Sequence, residues 1–242
     1  MLRDVQAIKE AQSRHYFDLF GGVVAHGPFR GFRMQWSQWW SQIDMAPKLF
    51  GLYEKEVADR LVALSRDRNV FIDIGAADGY FGVAAVSQGH YQTSHCFEIE
   101  EAGRRSIAKT AATNDVSDRI VIHGEASLPT LQTIPSQSLA EAVVLIDIEG
   151  AEFSFLDEDV LSLLANCPMI IELHDWLLPD GDRLKAALLK RIDAHFEAEI
   201  FQAGPRDLSE FAELENLPDT ERWLICAEGR GRSMEWLALT PK

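Results

Sequence analysis

The stretch "VFIDIGAADGYFGVAAV", Val70 to Val86, runs an apolar, β-prone segment into Asp73, then through small residues into a second apolar run. A strand turning into a helix with so few side chains leaves its backbone amides bare. Bare amides at a helix start attract anions, yet Asp73 at the strand end opposes a phosphate. Read from Gly75, the dinucleotide pattern G-x-G-x-x-G finds Ala77 and Tyr80 where its second and third glycines belong. The turn therefore suits a ligand that lacks phosphate and carries positive charge. A second acid, Glu98 in "CFEIE", stands at the next strand end, at a spacing where a carboxylate can accept from both ribose hydroxyls. S-adenosylmethionine, with an ammonium, a sulfonium, a neutral adenine and a ribose diol, satisfies both acids. A nicotinamide dinucleotide is disfavoured by the missing glycines and by Asp73.

A further constellation lies in "IIELHDW", where Glu172, His174 and Asp175 end another apolar run. Imidazole titrates near neutrality, which suits general-base work. Methyl transfer to a hydroxyl needs an in-line nucleophile and a group that removes its proton. His174 is placed for that role, against the alternative of a histidine that only bonds locally. His26, His90, His123 and His195 read as loop or surface residues.

The elements that must position these groups follow from periodicity. Strands are expected at Val70–Ile74, His95–Glu98, Arg119–His123, Ala142–Ile148 and Met169–Leu173, with helices at Tyr80–Gln88, Ala102–Ala112, Asp157–Asn166 and Gly181–Phe196. Alternation of this kind makes βαβ units and a parallel sheet. The tail "RWLICAEGRGRSMEWLALTP" has two strand-like runs around a Gly/Arg/Ser turn and reads as an antiparallel hairpin at the sheet edge. Before residue 69 no strand pattern exists. A helix is expected from about Asp4 to Phe20, a loop over Gly21–Phe32, and an amphipathic helix from Tyr53 to Arg66. Trp36, Trp39 and Trp40 fall on one face of a helix, as core packing or as a lid with Arg30 and Arg33.

Composition bounds the partners. With a formal charge of −15 over 242 residues, most of the surface repels a polyanion, and no nucleic-acid partner is expected. Cys96, Cys167 and Cys226 show no metal-like spacing; they read as free thiols of a reducing compartment, with Cys96 and Cys226 in strand-like runs. The charged N-terminus lacks a signal-peptide core, and no apolar run approaches the roughly 20 residues that span a bilayer. A cytoplasmic protein with no membrane partner is expected.

The ordered set "FIDIGAADGYFG", "CFEIE", "HGEAS", "VLIDIEGAEFSFL" and "MIIELH" resembles class I S-adenosylmethionine-dependent methyltransferases, and "IDIEGAE" resembles their FkbM-type family. The resemblance spans about residues 69–203. The chain departs from it at Leu145, where a lysine is common, and at Asp78, where many relatives have asparagine. It implies that Asp73, Gly75, Ala76 and Gly79 line the methionine part of the cofactor. Glu98 would hold the ribose, and Glu125 and Ala126 would lie near the adenine. Asp147 would sit at the methionine end or the reacting centre, beside Glu149 and Glu152. Magnesium on Asp147, His174 and Asp175 is an option that the histidine disfavours, because magnesium prefers oxygen ligands.

The expected architecture is α/β: a Rossmann-like, doubly wound, mostly parallel seven-stranded sheet with an antiparallel edge. Residues 1–68 form a helical extension and 69–242 the methyltransferase domain. The expected function is S-adenosylmethionine-dependent methylation, on an oxygen of a small molecule or sugar as the resemblance implies. The competing readings are a methyltransferase fold that binds without turnover and an NAD-dependent oxidoreductase.

Overall fold

The computed structural model describes residues 2–36, 42–228, 230 and 232–242. Its centre is one seven-stranded sheet: β1 (Val70–Ile74), β2 (Thr93–Phe97), β3 (Ile120–His123), β4 (Ala142–Ile146), β5 (Met169–Leu173), β6 (Phe196–Gln202) and β7 (Glu235–Pro241). The order is β3-β2-β1-β4-β5-β7-β6. The first five strands pair in parallel, and β7 runs antiparallel to both β5 and β6. Every residue of β1, β4 and β5 is buried, which is why these strands read as continuous apolar runs rather than as alternation. Strand order reverses between β1 and β4, opening a crevice at their carboxyl ends.

The two faces of the sheet carry separate cores. Successive side chains of a strand point to opposite faces. Val70, Ile72 and Ile74 of β1, with Val144, Ile146, Met169 and Ile171, pack on one face against Leu131, Val160, Leu188 and Ile192. Phe71, Val143, Leu145 and Ile170 face the other way, against Val83, Val86 and Ile107. That second core also takes in Tyr16, Val24, Phe29, Phe32, Leu49, Phe50 and Leu61, so the segment before β1 covers one face of the sheet. Asp73 and Glu172 sit two positions along from Phe71 and Ile170, and the same period aims them under that cover; they are 3% and 2% exposed.

Several sequence expectations need correction. The helix begun at Gly181 ends at Ile192, and Phe196 opens β6. The helix expected over Asp157–Asn166 is confined to Glu158–Leu163, capped by the Asp157 carboxylate on the amides of Asp159 and Val160. The tail is not a hairpin: Asp219–Ile225 is helical and Cys226 is its C-cap, half-buried rather than in a strand. Its single strand, β7, inserts between β5 and β6, one strand in from the edge. His123 ends β3, and its Nε2 bonds His95 Nδ1 at 3.0 Å, so it is not a loop residue. Trp36 lies in no helix; it meets Phe17 edge-on and has Arg14 over its ring. Trp39 and Trp40 lie outside the described residues. Arg33 is held by Thr113, Asn114 and Asp115 at the end of the helix Glu101–Thr113.

Candidate active site

The carboxyl ends of β1 to β4 enclose a cavity of about 640 Å³. Its floor is the turn after β1. Gly75 has φ +91°, and a Cβ there would overlap the Asp147 carbonyl oxygen, so only glycine lets β1 and β4 close this tightly. The Gly75 and Ala76 amides both donate to the Phe97 carbonyl. Ala77 follows with φ +48°, a strained position for a residue with a Cβ. Glu98 holds it there: Oε2 accepts from the Ala77 amide at 2.9 Å and Oε1 from the Glu100 amide at 2.8 Å. An ionised carboxylate offers about four lone-pair sites, so two remain for a ligand in the cavity.

Of the residues singled out from the sequence, Gly75, Glu98, Glu125, Ala126 and Asp147 line this cavity. Asp73, Ala76 and Gly79 stand behind the turn. Gly79 is the N-cap of the helix Tyr80–Ser87, with φ +84°. Asp73 lies under that helix; a Cβ on Gly82 would come within 2.8 Å of its Oδ2. Burial pushes the Asp73 carboxyl up to about 7, with the Gly82 amide pulling the other way. The cavity lining includes Glu98, Glu100, Glu125, Asp147, Glu149 and Asp157, and no lysine, arginine or histidine among the described residues.

Beside the cavity stands His174, 3% exposed. Its Nε2 is 3.8 Å from Asp147 Oδ1 and 3.6 Å from Glu149 Oε2. Its Nδ1 is 3.5 Å from Oε1 of Glu152, which is fully buried. Glu152 anchors the strand end directly: Oε1 accepts the His174 backbone amide at 2.7 Å and Oε2 the Gly150 amide at 2.8 Å. Burial alone would lower the His174 pKa, but Glu152, Asp147 and Glu149 outweigh it and hold it above the usual histidine value. Asp147 is pushed up by burial, against the pull of His174. Its Oδ1 has no hydrogen-bond partner. The acid and the imidazole thus each hold a proton more tightly than they would in water.

Behind Asp147 is a group of which the sequence marked only Glu172; Glu54 and Arg230 were missed. Glu54 (4% exposed, φ +42°) comes from the N-terminal segment, Glu172 from β5, and Arg230 from the loop before β7. Arg230 bonds both carboxylates and reaches Glu228 at 3.0 Å. Glu54 and Arg230 are separated by 176 positions, and no local pattern marks such a pair. Ligand atoms of Asp147, Glu149 and His174 lie within 4.8 Å of one another, as do those of Glu54, Asp147 and Glu172. In the second group the Arg230 guanidinium already bonds two of the acids, Glu54 and Glu172; the first joins two carboxylates to an imidazole nitrogen, a donor that magnesium disfavours.

The order of the sheet, the antiparallel β7 and the site at the strand ends define the class I methyltransferase fold. Solved structures share it. The O-methyltransferase TomG of Streptomyces achromogenes, involved in tomaymycin synthesis and solved with S-adenosylmethionine, is 13% identical, with 81% of this chain and 89% of that one covered and a TM-score of 0.52. A Streptococcus pneumoniae protein described as a tRNA (m1A22) methyltransferase, in complex with S-adenosyl-L-methionine, is 16% identical over 78% and 72% of the two chains, with a TM-score of 0.50. No family model matches the chain, and no curated protein is similar to it, so the FkbM-type resemblance rests on the motifs alone. At these identities the likeness is one of fold; the two neighbours differ in acceptor and leave that question to the site.

Proposed function

We propose that this protein transfers the methyl group of S-adenosylmethionine to a hydroxyl of a small molecule or sugar. The observation that supports it most is the charge of the cavity: among the described residues, six acidic side chains and no basic one at the strand ends of a methyltransferase fold. Such a lining stabilises a sulfonium and an ammonium and repels a pyrophosphate. Glu98 takes the ribose, the segment around Glu125 and Ala126 meets the adenine, and Asp147 faces the methionine end.

In the transfer, the acceptor oxygen forms a bond to the methyl carbon while the S–CH3 electron pair returns to sulfur. The hydroxyl proton passes to His174 in its neutral form, oriented by Glu152 and backed by Asp147. We assign acceptor choice to residues 1–68, because Glu54 of that segment stands against Asp147. One fold neighbour is described as a tRNA methyltransferase, so the fold does not support excluding nucleic acid. The preference for a small acceptor rests on the net charge of −15 and on the acidic lining. Among the described residues no helix is long and apolar enough to cross a membrane.

Titration calorimetry with S-adenosylmethionine and NAD tests the cofactor. Tighter binding of NAD would refute the reading. Methyl transfer from labelled cofactor to small polyols and phenols, compared with bulk tRNA, tests the acceptor; labelling of tRNA alone would overturn the small-molecule assignment.

A further inference from the structure

Three carboxyl groups converge where the cavity ends: Asp147 opens to it, and Glu54 and Glu172 stand behind. Their oxygens lie within 4.8 Å of one another. Three negative charges at that separation, two of them almost fully buried, cannot all be ionised beside one guanidinium. The groups that face them are known from each side. Arg230 bonds Glu54 and Glu172, and Glu228 bonds Arg230 and accepts the Glu54 amide. Tyr53 adjoins Glu54, and His174 and Glu149 adjoin Asp147. His174 is 3% exposed, and its Nε2 lies 3.6 Å from Glu149 and 3.8 Å from Asp147, one bridging water or a small closing motion short of hydrogen-bond reach into the group. Burial pushes Glu54 up to about 8 and Glu172 up to about 10 despite Arg230.

Methyl transfer changes the charge at this end of the cavity. A sulfonium becomes a neutral thioether, and an acceptor hydroxyl gives up a proton. On the cofactor reading above, we propose that the Glu54–Asp147–Glu172 group is a proton store that follows the charge of the cofactor. It releases a proton when the sulfonium binds. It takes one back, delivered from the acceptor through His174, when the methyl leaves as the ether and the electron pair returns to sulfur. The charge around the reacting centre then stays constant through turnover, and no proton need escape past the bound ligands. Glu54 and Glu172 act through Asp147 and His174, as positioning residues for the proton.

The test needs only the cofactor and its demethylated product. Calorimetric binding of S-adenosylmethionine and of S-adenosylhomocysteine is measured at pH 7.5 in phosphate and in Tris, whose ionisation enthalpies differ, to count protons exchanged. The wild-type protein should release about one proton more with the sulfonium than with the thioether, by linkage. Glu172→Gln and Glu54→Gln should each shrink that difference while still binding both ligands. Equal proton counts for the two ligands in the wild type would overturn the store. So would a full difference surviving in both variants. If neither ligand binds at all, the cofactor reading itself fails. Should one variant not fold, the other and the wild-type comparison decide.

Discussion

Removing Glu98 tests how the turn and the ribose site depend on one carboxylate. Its two oxygens hold the Ala77 and Glu100 amides at 2.9 and 2.8 Å, and the side chain is 8% exposed. Hydrogen bonds to a charged acceptor contribute about 1.5–3 kcal/mol each. Glu98→Ala therefore costs roughly 3–6 kcal/mol before water entering the cavity rim returns part of it. A loss of that size is a large share of a typical domain's stability, so Glu98→Gln is the informative partner: it keeps the shape and one carbonyl acceptor. In the folded Gln variant, losing the charge on a ribose contact worth about 1.5–3 kcal/mol weakens S-adenosylmethionine binding by roughly 10- to 150-fold. Thermal unfolding and calorimetry on both variants separate the two effects. Wild-type cofactor affinity in either variant would remove Glu98 from the site. An unchanged melting temperature in Glu98→Ala would refute its hold on the turn.

Other consequences can be checked in the same way. His174→Ala should lower turnover by about 10²–10⁴-fold with cofactor affinity intact, and a fully active variant would reject it as the base. Because its carboxylate neighbours raise the His174 pKa, the wild-type rate should fall as pH drops through a value above the ordinary histidine range, and chelator should leave it unchanged. Gly75→Ala should destabilise the protein by at least about 1–3 kcal/mol, since the φ of +91° and the Asp147 carbonyl both exclude a Cβ; denaturant melts that match wild type would contradict the close approach. The native Asp73 carboxyl keeps its proton up to about pH 7, whereas the unfolded chain releases it near 3.9. Stability should therefore fall as pH rises between those values, by on the order of 4 kcal/mol, and Asp73→Asn should flatten that slope; an unchanged slope in the variant would assign the effect elsewhere.

The parallel half of the sheet was legible because its strands are short apolar runs with abrupt ends. Val70–Ile74 and Met169–Leu173 match the observed strands at both ends: a strand buried on both faces tolerates no polar residue except where it meets the site. Asp73 and Glu98 stood out for the related reason that charge at the end of such a run is conspicuous, and of the two only Glu98 lines the cavity. The tail was not. "RWLICA" is apolar enough for a strand, and only the sheet determines that β7 pairs with β5 and β6 while the run before it coils into a helix. Nor could the sequence assign roles within the turn. Side chains of β1 alternate between two cores, and that alternation sends Asp73 under a helix while Glu98, one strand over, faces the cavity. The carboxyl group behind Asp147 was only partly in reach. Glu172 stood out at its strand end, but Glu54 and Arg230 come from an N-terminal turn and a C-terminal loop, each unremarkable in its own neighbourhood. Their chemistry arises only when folding brings three acids and one guanidinium into a space that excludes water, where the energy of an ion depends on its neighbours and not on its place in the chain.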